Sequence, residues 1–140
     1  ARLAADLLDK LDGIEAMLRQ IESIVPSVAE NYRNRLFNKL SELLADQNID
    51  EQRILTETAI FAEKTAVDEE TVRLRSHMEQ LRIMLDTGSP IGRKIDFLIQ
   101  EFNREANTIG SKCQNADIAH VVVDLKSEIE KIREQIQNIE

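Results

Sequence analysis

From Ile118 to Ile139 the chain sets an aliphatic side chain at 118, 122, 125, 129, 132, 136 and 139, in alternating steps of 4 and 3 sustained over three heptads. Side chains so spaced fall on one stripe of an α-helix and demand an equally long apolar partner. A second stripe opens the chain, at Leu7, Leu11, Ile14, Leu18, Ile21 and Val25. Two such seams in 140 residues leave little room for anything but lengthwise helix packing. No stretch holds a period of two long enough to make a secure strand, and the β-branched run Val121 to Val123 lies inside the 3.5 period.

Punctuation divides the rest. Pro26 suits the first turn of a new helix, where its missing N–H costs nothing, so a second helix is expected from there to about Asp46, with Ala29, Tyr32, Leu36, Leu40 and Leu43 inward. Asp50 is placed to cap a third helix holding Ile54, Leu55, Thr58 and Phe61, and Asp68 a fourth, with Leu74, Met78, Leu81 and Leu85 as its apolar face. Gly88 and Pro90 end that helix. A fifth buries Ile91, Ile95, Leu98, Phe102, Ala106 and Ile109 and is expected to close at Gly110. The expectation is an all-α, elongated bundle of about six helices in one domain spanning 1–140. Its first and last helices would each reach roughly 35 Å at 1.5 Å per residue. Their heptads serve either the bundle's own core or the seam of a homo-oligomer.

Composition excludes several alternatives. Four Gly and two Pro are too few for a collagen, a Pro-rich linker or a turn-dense sandwich. Five aromatics and no Trp argue against a base-stacking surface as the main device. One cysteine, Cys113, forms no internal disulfide, which points to a reducing compartment, and no apolar run approaches the roughly 20 residues of a membrane span. A cytoplasmic protein without a membrane partner is expected. The chain begins at Ala1 and reads as helix at once, so a fragment of a longer protein is also expected.

The net charge of -8 is uneven: residues 1–70 carry -7, residues 71–112 carry +2 and residues 113–140 carry -3. The basic middle holds Arg73, Arg75, Arg82, Arg93, Lys94, Arg104 and Lys112, where a polyanion meets least repulsion. On the fifth helix Glu101 and Glu105 share a face, with Arg104 beside both and Lys112 two turns on. That face is either a salt-bridged surface or a place where paired carboxylates hold a divalent cation and the basic residues meet phosphate. Its run of Asn103, Asn107, Thr108 and Ser111 adds hydrogen-bonding groups that a plain solvent face rarely needs. His77 follows Arg73 by four residues and Glu70 by seven, on one stripe of the fourth helix, where an imidazole serves as surface residue or proton carrier. There is no repeated Glu-x-x-His, His-Glu-x-x-His, Cys-x-x-Cys, phosphate-binding Gly-rich loop or Gly-x-Ser-x-Gly elbow. Cys113 has no evident catalytic partner and reads as structural.

The run Gly92-Arg93-Lys94-Ile95-Asp96-Phe97-Leu98-Ile99-Gln100-Glu101-Phe102-Asn103-Arg104-Glu105-Ala106-Asn107-Thr108-Ile109-Gly110-Ser111-Lys112 closely resembles the signature of the YicC/YloC family. So do Arg73-Leu74-Arg75-Ser76-His77 and the ending Glu130 to Glu140. The match is long from about 68 to 140, while 1–67 resembles the family's more variable helical region. The resemblance implies a bacterial cytoplasmic protein of RNA turnover, similar to metal-dependent endoribonucleases that assemble as hexamers around RNA and carry a separate N-terminal domain absent here. On that footing Glu101 and Glu105, with Asp96 or Glu70, are expected to hold Mg²⁺ or Mn²⁺. Arg73, Arg75, Arg93, Lys94, Arg104 and Lys112 are expected to bind RNA phosphates, and His77 to shuttle a proton. His77 would face the carboxylates if the fourth and fifth helices form an antiparallel pair. The rival expectation is a non-catalytic oligomerisation module or an adaptor presenting RNA to another nuclease.

Overall fold

The structure, a computed structural model, describes residues 2–44, 48–87 and 92–137. Five helices account for nearly all of them: α1 (Arg2–Leu44), α2 (Glu51–Thr65), α3 (Asp68–Asp86), α4 (Gly92–Cys113) and α5 (Ala116–Gln137). No strand occurs among the described residues, and Val121 to Val123 are helical. The all-α class stands, with five helices in place of about six.

The missing boundary is at Pro26, which lies inside α1. Proline removes one backbone hydrogen bond and usually kinks a helix. Here the apolar stripe runs through it: Leu18, Ile21 and Val28 are all buried, so packing on both sides of the proline holds one continuous helix. The hydroxyls of Ser23 and Ser27 donate to the carbonyls of Gln20 and Ile24 at 2.7 Å, giving this stretch local hydrogen bonds of its own. At 43 residues α1 is roughly 65 Å long.

That length organises everything else. α3 runs antiparallel along the first half of α1, fastened where Arg75 reaches Glu15 at 3.0 Å and Glu22 at 2.6 Å and Arg82 reaches Asp12 at 3.6 Å. α4 packs between α3 and α5, and α5 closes the ring against α1. The four-helix core buries Leu7, Leu11, Ile14 and Leu18 of α1, Leu74, Met78 and Leu81 of α3, Phe102 and Ile109 of α4, and Ile118, Leu125, Ile129 and Ile132 of α5. The heptad residues of α5 are buried through Ile136, whereas Ile139 lies outside the described residues.

Beyond this core α2 alone covers the second half of α1. The two form an arm pinned by the stacked rings of Tyr32 and Phe61, 4.0 Å apart. One partner cannot bury a stripe fully. Tyr32, Leu36 and Leu40 are half-buried, and Leu43 and Leu55, expected inward, are 69% and 54% exposed.

The helix ends show how the elements are punctuated. Asp50 caps α2, its side chain accepting the N–H of Arg53 at 3.2 Å. Asp68, expected as a cap, is the first residue inside α3; the cap is Val67, which is buried and makes no side-chain hydrogen bond. Asp68, Glu69 and Glu70 therefore occupy the first turn, where the helix dipole favours acids. Gly110 does not close α4, which continues to Cys113. A Cβ at 110 would meet Val122 of α5 at 3.4 Å, so the glycine sits where α4 and α5 approach closely. Gln114, at φ 41°, makes the left-handed exit instead, and Asn115 caps α5 by accepting from the N–H of Ile118 at 3.0 Å. Gly88 and Pro90 lie outside the described residues.

Candidate functional site

α3 and α4 are antiparallel, as the expected placement of His77 requires. Their facing stripes, Glu70, Arg73 and His77 on one side and Lys112, Glu105 and Glu101 on the other, meet in three successive pairs. The result is a polar seam along an otherwise apolar bundle.

At its first step Glu70 is fully buried, and both its oxygens accept from Lys112 Nζ, at 2.5 and 3.2 Å. The carboxylate holds the Lys112 ammonium above its ordinary pKa, chiefly through that hydrogen bond. One turn further, Arg73 Nε donates to Glu105 Oε1 at 3.2 Å, while Arg73 also reaches Glu69 at 3.6 Å. Glu105 is 3% exposed, and its second oxygen, Oε2, is buried with no hydrogen-bond partner. At the third step His77 Nε2 stands 3.9 Å from Glu101 Oε2, an ion-pair distance too long for a hydrogen bond, and Nδ1 is buried without a partner. Arg104, largely exposed, stands 3.9 Å from Glu101.

Between the second and third steps lies a cavity of about 310 Å³ lined by Arg73, Glu101, Arg104, Glu105 and Thr108. Two carboxylates and two guanidiniums thus face one space. Thr108 continues the stripe on which Glu101, Glu105 and Lys112 lie, so helical spacing alone places it there. The partnership of Glu70 with Lys112, 42 residues apart, had no comparable signal in the chain.

The remaining expected site residues lie elsewhere. Arg75 follows Arg73 by two residues and points to α1, where Glu15 and Glu22 occupy it and hold its guanidinium above the ordinary pKa. Asp96 precedes Glu105 by nine residues, half a turn round the helix, and its charge acts on Arg133 of α5. Arg93 and Lys94 are exposed near the start of α4, and Lys94 borders a shallow apolar hollow with Ile83, Met84, Phe97 and Leu98. Glu70 is in the seam but fully engaged by Lys112. Cys113 is buried and donates to the Thr65 carbonyl at 3.5 Å, and burial raises its thiol pKa, consistent with a structural role.

Among the described residues no three of His, Cys, Asp and Glu form a cluster spaced to hold a metal ion. A magnesium-like ion, however, is commonly held by one or two carboxylates with the rest of its shell from water and substrate phosphate. Glu101 and Glu105 fit that smaller donor set, because Oε2 of Glu105 has no other partner. Glu70 and Asp96 do not join it.

A helical ring with a charged, partly buried seam between two of its members defines the chain as a helical module with a candidate polyanion site. Residues 21–140 match the family described as endoribonuclease YicC-like, C-terminal. The chain belongs to that family. It is 51% identical over 140 residues to a probable endoribonuclease YicC of Clostridioides difficile (strain 630), a match covering 99% of this chain and 48% of the relative. It is 41% identical over 131 residues to a probable endoribonuclease YicC of Haemophilus influenzae (strain ATCC 51907 / DSM 11121 / KW20 / Rd), covering 94% and 45%. The chain thus spans about half the length of these curated relatives. No helix among the described residues is long and apolar enough to cross a membrane.

Proposed function

We propose that this chain is the helical part of a divalent-metal-dependent endoribonuclease, and that the α3–α4 seam is where RNA is held and cut. The observation that carries the reading is Glu105: a carboxylate almost wholly removed from water, with one oxygen unpartnered, beside a cavity it shares with a second carboxylate and two arginines. Leaving such an atom without a partner costs about 1–3 kcal/mol. A helix face retaining that cost is better explained by a ligand than by solubility.

Each residue then has a task. Arg73 and Arg104 hold the phosphates on either side of the scissile bond and offset negative charge as it builds on the phosphorus oxygens. Arg73 also fixes the Glu105 carboxylate in place through the Nε–Oε1 hydrogen bond. A divalent ion bound by Glu101 and Glu105 would polarise the phosphoryl oxygen and lower the pKa of the attacking water. His77, whose Nε2 stands 3.9 Å from Glu101, is the side chain placed to pass a proton to or from the reacting oxygens. Lys112 acts by positioning: it neutralises Glu70 and holds the end of the seam in register.

Manganese-dependent cleavage of RNA tests this, run on this chain and on protein of its relatives' length. Glu101→Ala and Glu105→Ala should each lower cleavage by about 10- to 100-fold, as loss of a group that supports a metal does, with helicity unchanged. Arg104→Ala should weaken RNA binding and flatten its salt dependence, since fewer counterions are released. Unchanged cleavage in all three variants would remove the seam from the mechanism.

A second reading has its own observation. The arm exposes Phe37, Leu43, Leu55 and Ile60, the kind of apolar surface used in assembly. A non-catalytic assembly module, or an adaptor presenting RNA to another nuclease, would bind RNA without cleaving it and be indifferent to EDTA.

A further inference from the structure

A second cavity, of about 690 Å³ against about 310 Å³ for the one in the seam, lies at the seam's end, where the arm meets the four-helix core. Its wall is built by the second half of α1, the end of α2 and the α4–α5 turn. Asn31, Asn34 and Arg35 come from α1, Phe61 from α2, Lys112 from the last turn of α4 and Gln114 from the α4–α5 turn; none of the lining residues is an acid. In a chain of net charge -8 an acid-free wall carrying two cations is a local reversal of sign. Lys112 is already matched by Glu70, whereas Arg35 makes no ion pair among the described residues, so the cavity presents one uncompensated positive charge.

We infer that this cavity binds a nucleotide unit. Its volume falls within the range of about 300–1,000 Å³ that holds small ligands. Arg35 suits a phosphate, because a guanidinium offers it two parallel donors. The carboxamides of Asn31, Asn34 and Gln114 each pair an acceptor oxygen with an NH₂ donor, the pattern that matches a base edge. Phe61 lends an apolar wall. A bare anion would need the cations only, and a lipid or apolar peptide would leave three carboxamides unsatisfied. The nucleotide is either free or one unit of an RNA chain. Lys112 stands eleven residues from Glu101 on α4, about 16 Å along the axis, so an RNA strand lying in the seam could end in the cavity. The inference does not depend on cleavage at Glu101 and Glu105.

The experiment measures binding to the folded protein by equilibrium dialysis, with labelled uridine and guanosine monophosphates and a short labelled oligoribonucleotide, each alone and against inorganic phosphate. Nucleotide should be retained, and phosphate at equal concentration should reduce its binding less than twofold. Binding of the monophosphates indicates a site for free nucleotide, and binding of the oligonucleotide alone indicates one for RNA. Arg35→Glu and Asn34→Asp, both on exposed positions of a helix, should each lower the binding at least fivefold while leaving the circular dichroism unchanged. Full displacement by equal phosphate, binding that survives both variants, or no binding of any nucleotide would each overturn the inference. Loss of cleavage in Glu105→Ala with this binding intact would keep the two sites separate.

Discussion

Helix α4 meets its two neighbours by opposite means. Into the shared core it presents Ile95, Phe102 and Ile109, which are buried, and Gly110 lets Val122 of α5 come close. Toward α3 it presents Glu101, Glu105 and Lys112 against His77, Arg73 and Glu70. The first interface is the cheap way to join helices. The second removes carboxylates from water, which breaks even only when partners and geometry are good, and at Glu105 Oε2 and His77 Nδ1 the pairing is incomplete. One side of α4 is shaped by stability, the other by something stability does not require.

The sharpest way to break the comparison is on its apolar side. Phe102→Ala should cost about 3–5 kcal/mol in denaturant unfolding, the usual loss for a large buried ring; a cost near 1 kcal/mol would mean that α4 is not the centre of the core. On the polar side, Lys112→Met alone should destabilise by leaving Glu70 buried without a cation, and adding Glu70→Leu should recover most of the loss. Additive effects in that double-mutant cycle would deny the pair. Gly110→Ala should raise stability by about 0.5–1 kcal/mol through helix propensity, because the added Cβ meets Val122 at an ordinary contact distance of 3.4 Å. A loss there would show the α4–α5 approach to be tighter than it stands.

The smallest effect concerns pH. The Arg75 hydrogen bond holds the Glu22 carboxyl below its ordinary pKa of 4.5. A carboxyl whose folded pKa is depressed contributes stability above its unfolded pKa and loses it as pH falls. Arg75→Gln should therefore shrink the fall in melting temperature as pH drops from above 4.5 to below it. It should leave RNA cleavage per folded molecule unchanged.

Much of this fold is legible in the spacing of its apolar residues. The stripes of α1 and α5 stand as the sequence suggests, and the antiparallel pairing of α3 with α4 follows from a short connection. The errors have physical reasons. Pro26 suits the first turn of a new helix, yet the stripe of Leu18, Ile21, Val25 and Val28 runs across it, and packing on both sides outweighs one lost hydrogen bond. Gly110 has the residue type of a helix stop but is a contact. The site was half legible: Glu101, Glu105, Arg73 and His77 come together as their periodicities allow. Arg75 and Asp96 are expected in the site only on the footing of the resemblance, although 200° and 900° of helical rotation turn them away from Arg73 and Glu105. The match of Glu70 to Lys112, and the cavity shared by three helices around Arg35, depend on tertiary approach that no local pattern announces.

The account rests on the polar side of α4 being chemical. The most direct test compares manganese-dependent RNA cleavage by Glu105→Gln with that by Arg75→Gln, both normalised to folded protein and both set against the unsubstituted sequence. The account predicts a loss of at least about tenfold for Glu105→Gln and none for Arg75→Gln. Equal activity in the two variants would contradict it, leaving the seam as scaffold.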